Sequence, residues 1–248
     1  IALAFTIGLL VVFFWAGAFH YEVNDDVGIT ALVKGLFGFK ASPNGIFISL
    51  LLGNGLFSLY EYFPLIPWFS LYLYLGLSVA CFIGSLTLLL VTNSLSTKIA
   101  GLFSISLFVC LIASQINFAA VSLMLWVTAC IFLMRLILIN KPIALRWCWS
   151  AALMLIAAYL LRPSLLPMHI VFALPLLSIP LVNGKRKILV LTIAPLIAII
   201  LLEFLVGFVA ASKNDNSEYG EFNAIRGEFT DTLRSNLTDK TEEALIAA

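Results

Sequence analysis

Between Asp26 and Asp215 this chain carries only two acidic residues, Glu61 and Glu203. A charged side chain is expensive in hydrocarbon, so segments that cross a bilayer exclude charge and loops collect it. The other acids obey that division. Glu22, Asp25 and Asp26 lie together near the start, and eight more run from Asp215 to Glu243. The body between them is a succession of apolar runs. Hydrophobic residues make up 62% of the chain and charged ones 11%, against about a quarter charged in an ordinary soluble domain. These values predict an all-α, polytopic transmembrane helical bundle in contact with the lipid bilayer. The formal net charge of +1 offers no field to attract nucleic acid.

A crossing needs about 20 apolar residues to cover ~30 Å of hydrocarbon. Eight runs are candidates: Ile1 to Phe19, Asn44 to Tyr60, Ile66 to Val91, Ile99 to Ser114, Ile116 to Ile139, Leu145 to Leu161, Ser164 to Val182, and Ile188 to Ala211. They define a transmembrane domain over residues 1–211, with a loop at 20–43, and a polar tail at 212–248. The chain starts at Ile1 and stops inside a helix-like stretch, Glu242 to Ala248, so both ends are expected to be cuts from a longer polypeptide. Cys81, Cys110, Cys130 and Cys148 lie in or beside apolar runs and read as small buried hydrophobes.

Short loops rich in Lys and Arg face the cytoplasm. Lys98 marks one such connection, Arg135, Lys141 and Arg146 a second, and Lys185, Arg186 and Lys187 a third. With all three inside, the first run leads outward, and the 20–43 loop, Ser114-Gln115, Arg162-Pro163 and the tail are extracytoplasmic. The parity of this arrangement fails if both Asn44 to Tyr60 and Ile66 to Val91 cross. The shorter run contains Gly45, Gly53, Asn54 and Gly55, and is read as re-entrant or interfacial.

Within the loop, Asn24 suits an N-cap and Asp25 and Asp26 the first helical turn. Ile29, Leu32, Val33, Leu36 and Phe37 recur at helical spacing, which predicts an interfacial amphipathic helix after the first span. Gly35, Gly38 and Ser42-Pro43-Asn44 end it.

The residues able to carry chemistry are few. Adjacent carboxylates can bind a divalent cation or divide work between base and ligand; acids in a first turn are also simply favoured by the helix dipole. Arg162 can hold a phosphate through paired hydrogen bonds, or anchor a helix end by snorkelling. Gln115 and Asn117 can bind sugar hydroxyls, or hydrogen-bond between helices. His169 and Glu203 interrupt apolar runs, and Glu203 needs a partner there.

Asn24-Asp25-Asp26, Ser42-Pro43-Asn44, Pro67-Trp68-Phe69, Gln115-Ile116-Asn117-Phe118, Leu161-Arg162-Pro163-Ser164, and Glu221-Phe222-Asn223 with Arg226-Gly227-Glu228 occur in an order that resembles the GT-C superfamily of membrane glycosyltransferases, and more closely a group of bacterial multi-pass proteins of that type. The resemblance implies a multi-pass protein of the bacterial cytoplasmic membrane. Its implied function is transfer of a sugar from a polyprenyl-phosphate donor to an extracytoplasmic glycan, lipid or protein acceptor. It assigns Asp25 as general base or metal ligand with Asp26 as partner, and a divalent metal such as Mg or Mn as possible cofactor. Asn24, Gln115 and Asn117 would bind substrate, and Arg162 would contact the carrier phosphate. Two rivals remain at this stage: a transporter or flippase of a lipid-linked glycan, and a non-catalytic membrane scaffold subunit.

Overall fold

The computed structural model describes residues 1–16, 24–35, 41–43, 47–114, 116–138, 145–171, 173 and 186–211, with the side chains of all but 13, 14, 16, 24–28, 186 and 209–211. The 212–248 tail, Gln115 and the 174–185 stretch therefore lie outside the described residues. The chain divides into one unit, Ile1–Glu203, and a second, Phe204–Ala248, of which only the helical part up to Ala211 is described.

The described residues are helical, as the apolar runs predict: α1 (Ala2–Ala16), α2 (Asn24–Lys34), α3 (Leu50–Tyr62), α4 (Trp68–Val91), α5 (Leu95–Ser114), α6 (Phe118–Leu138), α7 (Leu145–Leu161), α8 (Pro163–Val171) and α9 (Arg186–Ala211). Four of them, α4, α5, α6 and α9 (over Lys187–Phe208), are long and apolar enough to cross a membrane; a fifth crossing results if α7 and α8, bent by 110° at Arg162-Pro163, count as one broken span. This is a multi-pass membrane protein.

Two hairpins and one close triple packing set the bundle. Gly76 on α4 faces Val121 and Leu125 on α6, and Gly84 faces Thr128, so α4 and α6 run parallel. Leu88 near the end of α4 packs on Gly101 near the start of α5, so α5 returns antiparallel. α7 returns along α6: the Ser122 hydroxyl donates to the Ala158 carbonyl at 2.7 Å, and Phe132 meets Trp147 edge-on. Phe69, Leu73, Leu77, Val121, Leu125, Phe132, Ala151 and Ala158 form the fully buried seam between these helices. By contrast α5 fully buries only Val109 and Ala113, and leaves Ile99, Phe103, Leu107, Phe108 and Leu111 exposed.

Hydroxyls inside the helices are disposed of locally. Thr6, Ser78, Thr87, Ser104, Ser106, Ser150 and Thr192 each donate to the carbonyl four residues earlier. That bond hides the hydroxyl from hydrocarbon without help from a neighbour.

α3 resolves the parity conflict. Its 13 residues span about 20 Å, too short to cross. At its start the Ser49 amide donates to the Leu160 carbonyl at the end of α7 (2.9 Å). At its far end the Tyr60 hydroxyl accepts from the Phe69 amide in the first turn of α4 (3.1 Å). Those two helix ends lie at one end of the bundle, since the Tyr72 hydroxyl reaches the Ala157 carbonyl. α3 therefore lies across that end instead of running the length of the bundle.

α2 packs on α3 and completes the layer. The predicted amphipathic face is the buried one: Ile29, Leu32 and Val33 are all within 4% of full burial, with Leu36 and Phe37 outside the described residues. Lys34 lies 5.7 Å from the centre of the Tyr60 ring. Burial pushes the Tyr60 phenol up from its ordinary value, opposed in part by its bonds to the Phe69 amide and to Thr30. Gly35 ends α2 at φ +71°, where a Cβ would meet Ala41 at 2.9 Å; only glycine suits that position.

Candidate functional site

The described cations divide between the two ends of the bundle. Lys98 begins α5, Arg135 ends α6, Arg146 begins α7 and Lys187 begins α9, all at the end opposite α3. Ile188 packs there with Leu133, Ile137 and Cys148. Arg162 stands apart at the other end, with Lys34 of α2.

Arg162 occupies the apex of the 110° bend, held because Pro163 has no N–H to continue α7. Its amide still bonds back to the Ala158 and Tyr159 carbonyls. Its guanidinium is walled by two aromatic rings: Cζ lies 5.0 Å from the centre of Phe118 and 6.0 Å from that of Phe47, within range of a cation–π attraction. The two rings stack at 6.1 Å and 18°. The Arg162 Nε is buried and has no hydrogen-bond partner among the described residues. A planar cation with a buried, unused donor favours a planar or tetrahedral oxyanion.

Local structure fixes both walls. Asn117 is the N-cap of α6: its Oδ1 accepts from the Ala120 amide at 2.7 Å, which sets Phe118 as the first residue of that helix. Phe47 takes φ +67°, a conformation a bulky residue rarely adopts. Two residues on, Ser49 caps α3 by accepting from the Leu51 amide at 3.1 Å.

Glu203 of α9 has the partner its position demands. Its carboxylate accepts from the Ser49 hydroxyl at 2.6 Å and the Leu50 amide at 3.0 Å, and the Tyr159 phenol is set against it. An anion at the first turn of α3 also complements that helix's dipole. Glu61, by contrast, is exposed.

His169 and Trp126 form a second polar pair, deeper in the bundle. Their rings stack at 4.6 Å and 12°. Both His169 nitrogens and the Trp126 Nε1 are buried and lack hydrogen-bond partners among the described residues.

Of the residues singled out from sequence, Asn24, Asp25 and Asp26 lie on α2; their side chains, and residues 17–23 before them, lie outside the described set, so the N-cap expected at Asn24 does too. Asn117 serves α6 as its cap, and Arg162 is the caged cation. Gln115 lies outside the described residues. Among the described residues no three His, Cys, Asp or Glu side chains converge as a metal would require. Sequence reasoning passed over Phe47 and Ser49; the only signal was a serine placed directly before an apolar run.

Two apolar crevices of 390 Å³ open along the bundle. One, among α4, α5 and α6, is lined by Thr87, Leu88 and Ser104 toward the Lys98 end. The other runs between α4, α6 and α7 from Tyr72 and Ala157 down to Ile83 and Ser150, and so begins beside the Arg162 end. Compared with known protein families, curated proteins and solved structures, the chain matches none.

Proposed function

We propose that the chain is a GT-C-like membrane glycosyltransferase that takes a sugar from a polyprenyl-phosphate donor. The observation that carries this reading is Arg162: a half-buried guanidinium between two aromatic rings, its Nε unused, at one end of an apolar bundle. A prenyl phosphate needs that combination, a cation at the interface for the headgroup and apolar surface for the chain. The crevice from Tyr72 to Ser150 supplies apolar surface leading away from that end.

The clustering of Lys98, Arg135, Arg146 and Lys187 at the opposite end supports an extracytoplasmic position for Arg162 and α2. In this reading Asp25, with Asp26 beside it, takes the proton from the acceptor hydroxyl as that oxygen attacks the anomeric carbon. The carrier phosphate then leaves with the electrons of the sugar–oxygen bond, and Arg162 stabilises its charge. No step is routed through a metal. A transporter would need polar residues along the whole route, and His169 and Trp126 alone do not provide one.

The test measures transfer of labelled sugar from polyprenyl-phosphate donors by the purified full chain, beside Asp25→Asn, Asp26→Asn and Arg162→Gln. Activity in the unmodified protein, lost with Asp25→Asn and with Arg162→Gln, is the expected result. Full activity in Asp25→Asn and Asp26→Asn removes the acidic pair from catalysis. A protein that binds prenyl phosphate yet transfers nothing is a carrier or scaffold.

A further inference from the structure

A carboxylate inside a membrane helix is retained where it holds structure together or serves a site. Glu203 is the sole acidic residue of α9, and it bonds to no residue of its own helix in the contacts above. Its two oxygens take the Ser49 hydroxyl and the Leu50 amide from the start of α3. The Tyr159 phenol, three residues before Arg162, is set against the same carboxylate. The Ser49 amide in turn donates to the Leu160 carbonyl. The corner at Ser49–Leu50 is thus pinned from two helices at once, α7 and α9.

The pinned corner carries one wall of the Arg162 site. Phe47 lies two residues before Ser49 and holds its ring against Phe118 and the guanidinium only by adopting φ +67°. A bulky residue leaves that region when its surroundings release it. Downstream of Phe47 the restraints are the Ser49–Glu203–Leu50 clasp and the bond from the Ser49 amide to the Leu160 carbonyl.

We propose that Glu203 is a positioning residue: through Ser49 and Leu50 it holds Phe47 against Arg162, and so keeps the guanidinium aimed for an anionic headgroup. This rests on the reading of Arg162 as the phosphate contact. Glu203 itself touches no substrate. Replacement by Gln keeps the size of the side chain but removes its charge: the Leu50 amide meets a neutral acceptor and the Ser49 hydroxyl must turn from donor to acceptor, so the charge-assisted clasp is weakened.

The experiment has two readouts on the full chain in detergent. The first, without ligand, is hydrogen exchange of the backbone amides of residues 47–51. The second is the affinity for farnesyl phosphate, a short prenyl monophosphate, measured for the unmodified protein, Glu203→Gln, Arg162→Gln and the double variant. Ser49→Ala breaks the same clasp from the other side and carries the test if Glu203→Gln does not fold. The expected result is faster exchange at 47–51 and affinity weakened about tenfold by Glu203→Gln, as for loss of a hydrogen bond to a charged group. The double variant is then no weaker than Arg162→Gln alone. Unchanged exchange in both clasp variants overturns the proposal outright. Faster exchange with unchanged affinity, while Arg162→Gln weakens binding, overturns the positioning role and leaves the Arg162 reading standing. Equal binding by Arg162→Gln and the unmodified protein removes the phosphate reading, and the positioning role with it.

Discussion

The two ends of the bundle use the same kind of side chain differently. At the end bearing Lys98, Arg135, Arg146 and Lys187, cations are half-buried or exposed; Arg146 and Lys187 reach freely outward, and Arg146 rests on the neighbouring Trp147 ring. Snorkelling at helix ends accounts for such cations without any further role. At the other end α2 and α3 roof the bundle, and Arg162 is enclosed by Phe47 and Phe118 with a donor left unused. The contrast teaches that charge near a membrane boundary is not by itself a site. What distinguishes Arg162 is the structure built around it: a capped helix supplying one ring, a strained residue supplying the other, and a carboxylate on a distant helix holding the strained residue's neighbour.

If the ends differ in role but not in their share of stability, core truncations at either end should cost alike. Phe69→Ala near the roof and Phe132→Ala toward the opposite end each remove a fully buried ring. Each is expected to lose about 3–5 kcal/mol, read as a lowered denaturation midpoint in detergent. A large inequality would mean that one end folds largely without the other. The next largest effect is on binding. Arg162→Gln should weaken farnesyl phosphate affinity about thirtyfold or more, as for an anchoring charge removed from a partly buried contact. Arg146→Gln should change it less than about twofold, being an exposed charge. Equal losses from both would erase the distinction drawn above.

His169→Phe tests whether the deep polar pair is structural. Phenylalanine keeps the stack on Trp126 and removes two buried unpartnered nitrogens, so stability should rise by about 1–3 kcal/mol. A loss instead would show that those nitrogens bind something the bundle depends on. The smallest effect is expected from Asn117→Ala, which removes the α6 cap at a cost of about 0.5–2 kcal/mol. It should also weaken phosphate binding slightly by loosening Phe118, whereas Ser104→Ala, an exposed change within α5 toward the opposite end, should do neither.

The helices were legible because hydrocarbon demands long apolar runs, and each such run in the sequence corresponds to a helix within a few residues at its described ends. The amphipathic α2 was legible for the same reason on a smaller scale: Ile29, Leu32 and Val33 repeat at the helical period and are the residues it buries. What α3 does was only half legible. Its length and glycines disfavoured a crossing, but lying flat is decided by where Ser49 and Tyr60 find partners, and no local pattern encodes that. Arg162 stood out as a cation beside a proline at the end of an apolar run. Its aromatic walls did not, because Phe47 and Phe118 come from separate elements and meet only through the fold. Glu203 advertised a need for a partner; Ser49, 154 positions away, could not be named from sequence.

The self-contained hydroxyls of Thr6, Ser78, Thr87, Ser104, Ser106, Ser150 and Thr192 bear on the order of assembly. A segment whose polar groups are satisfied within its own backbone can leave the insertion machinery for lipid before any neighbour has arrived. The segment containing Glu203 has no such freedom, since its acceptors are met by α3. α9 is therefore expected to settle after α3, whose Ser49 and Leu50 donors receive its carboxylate.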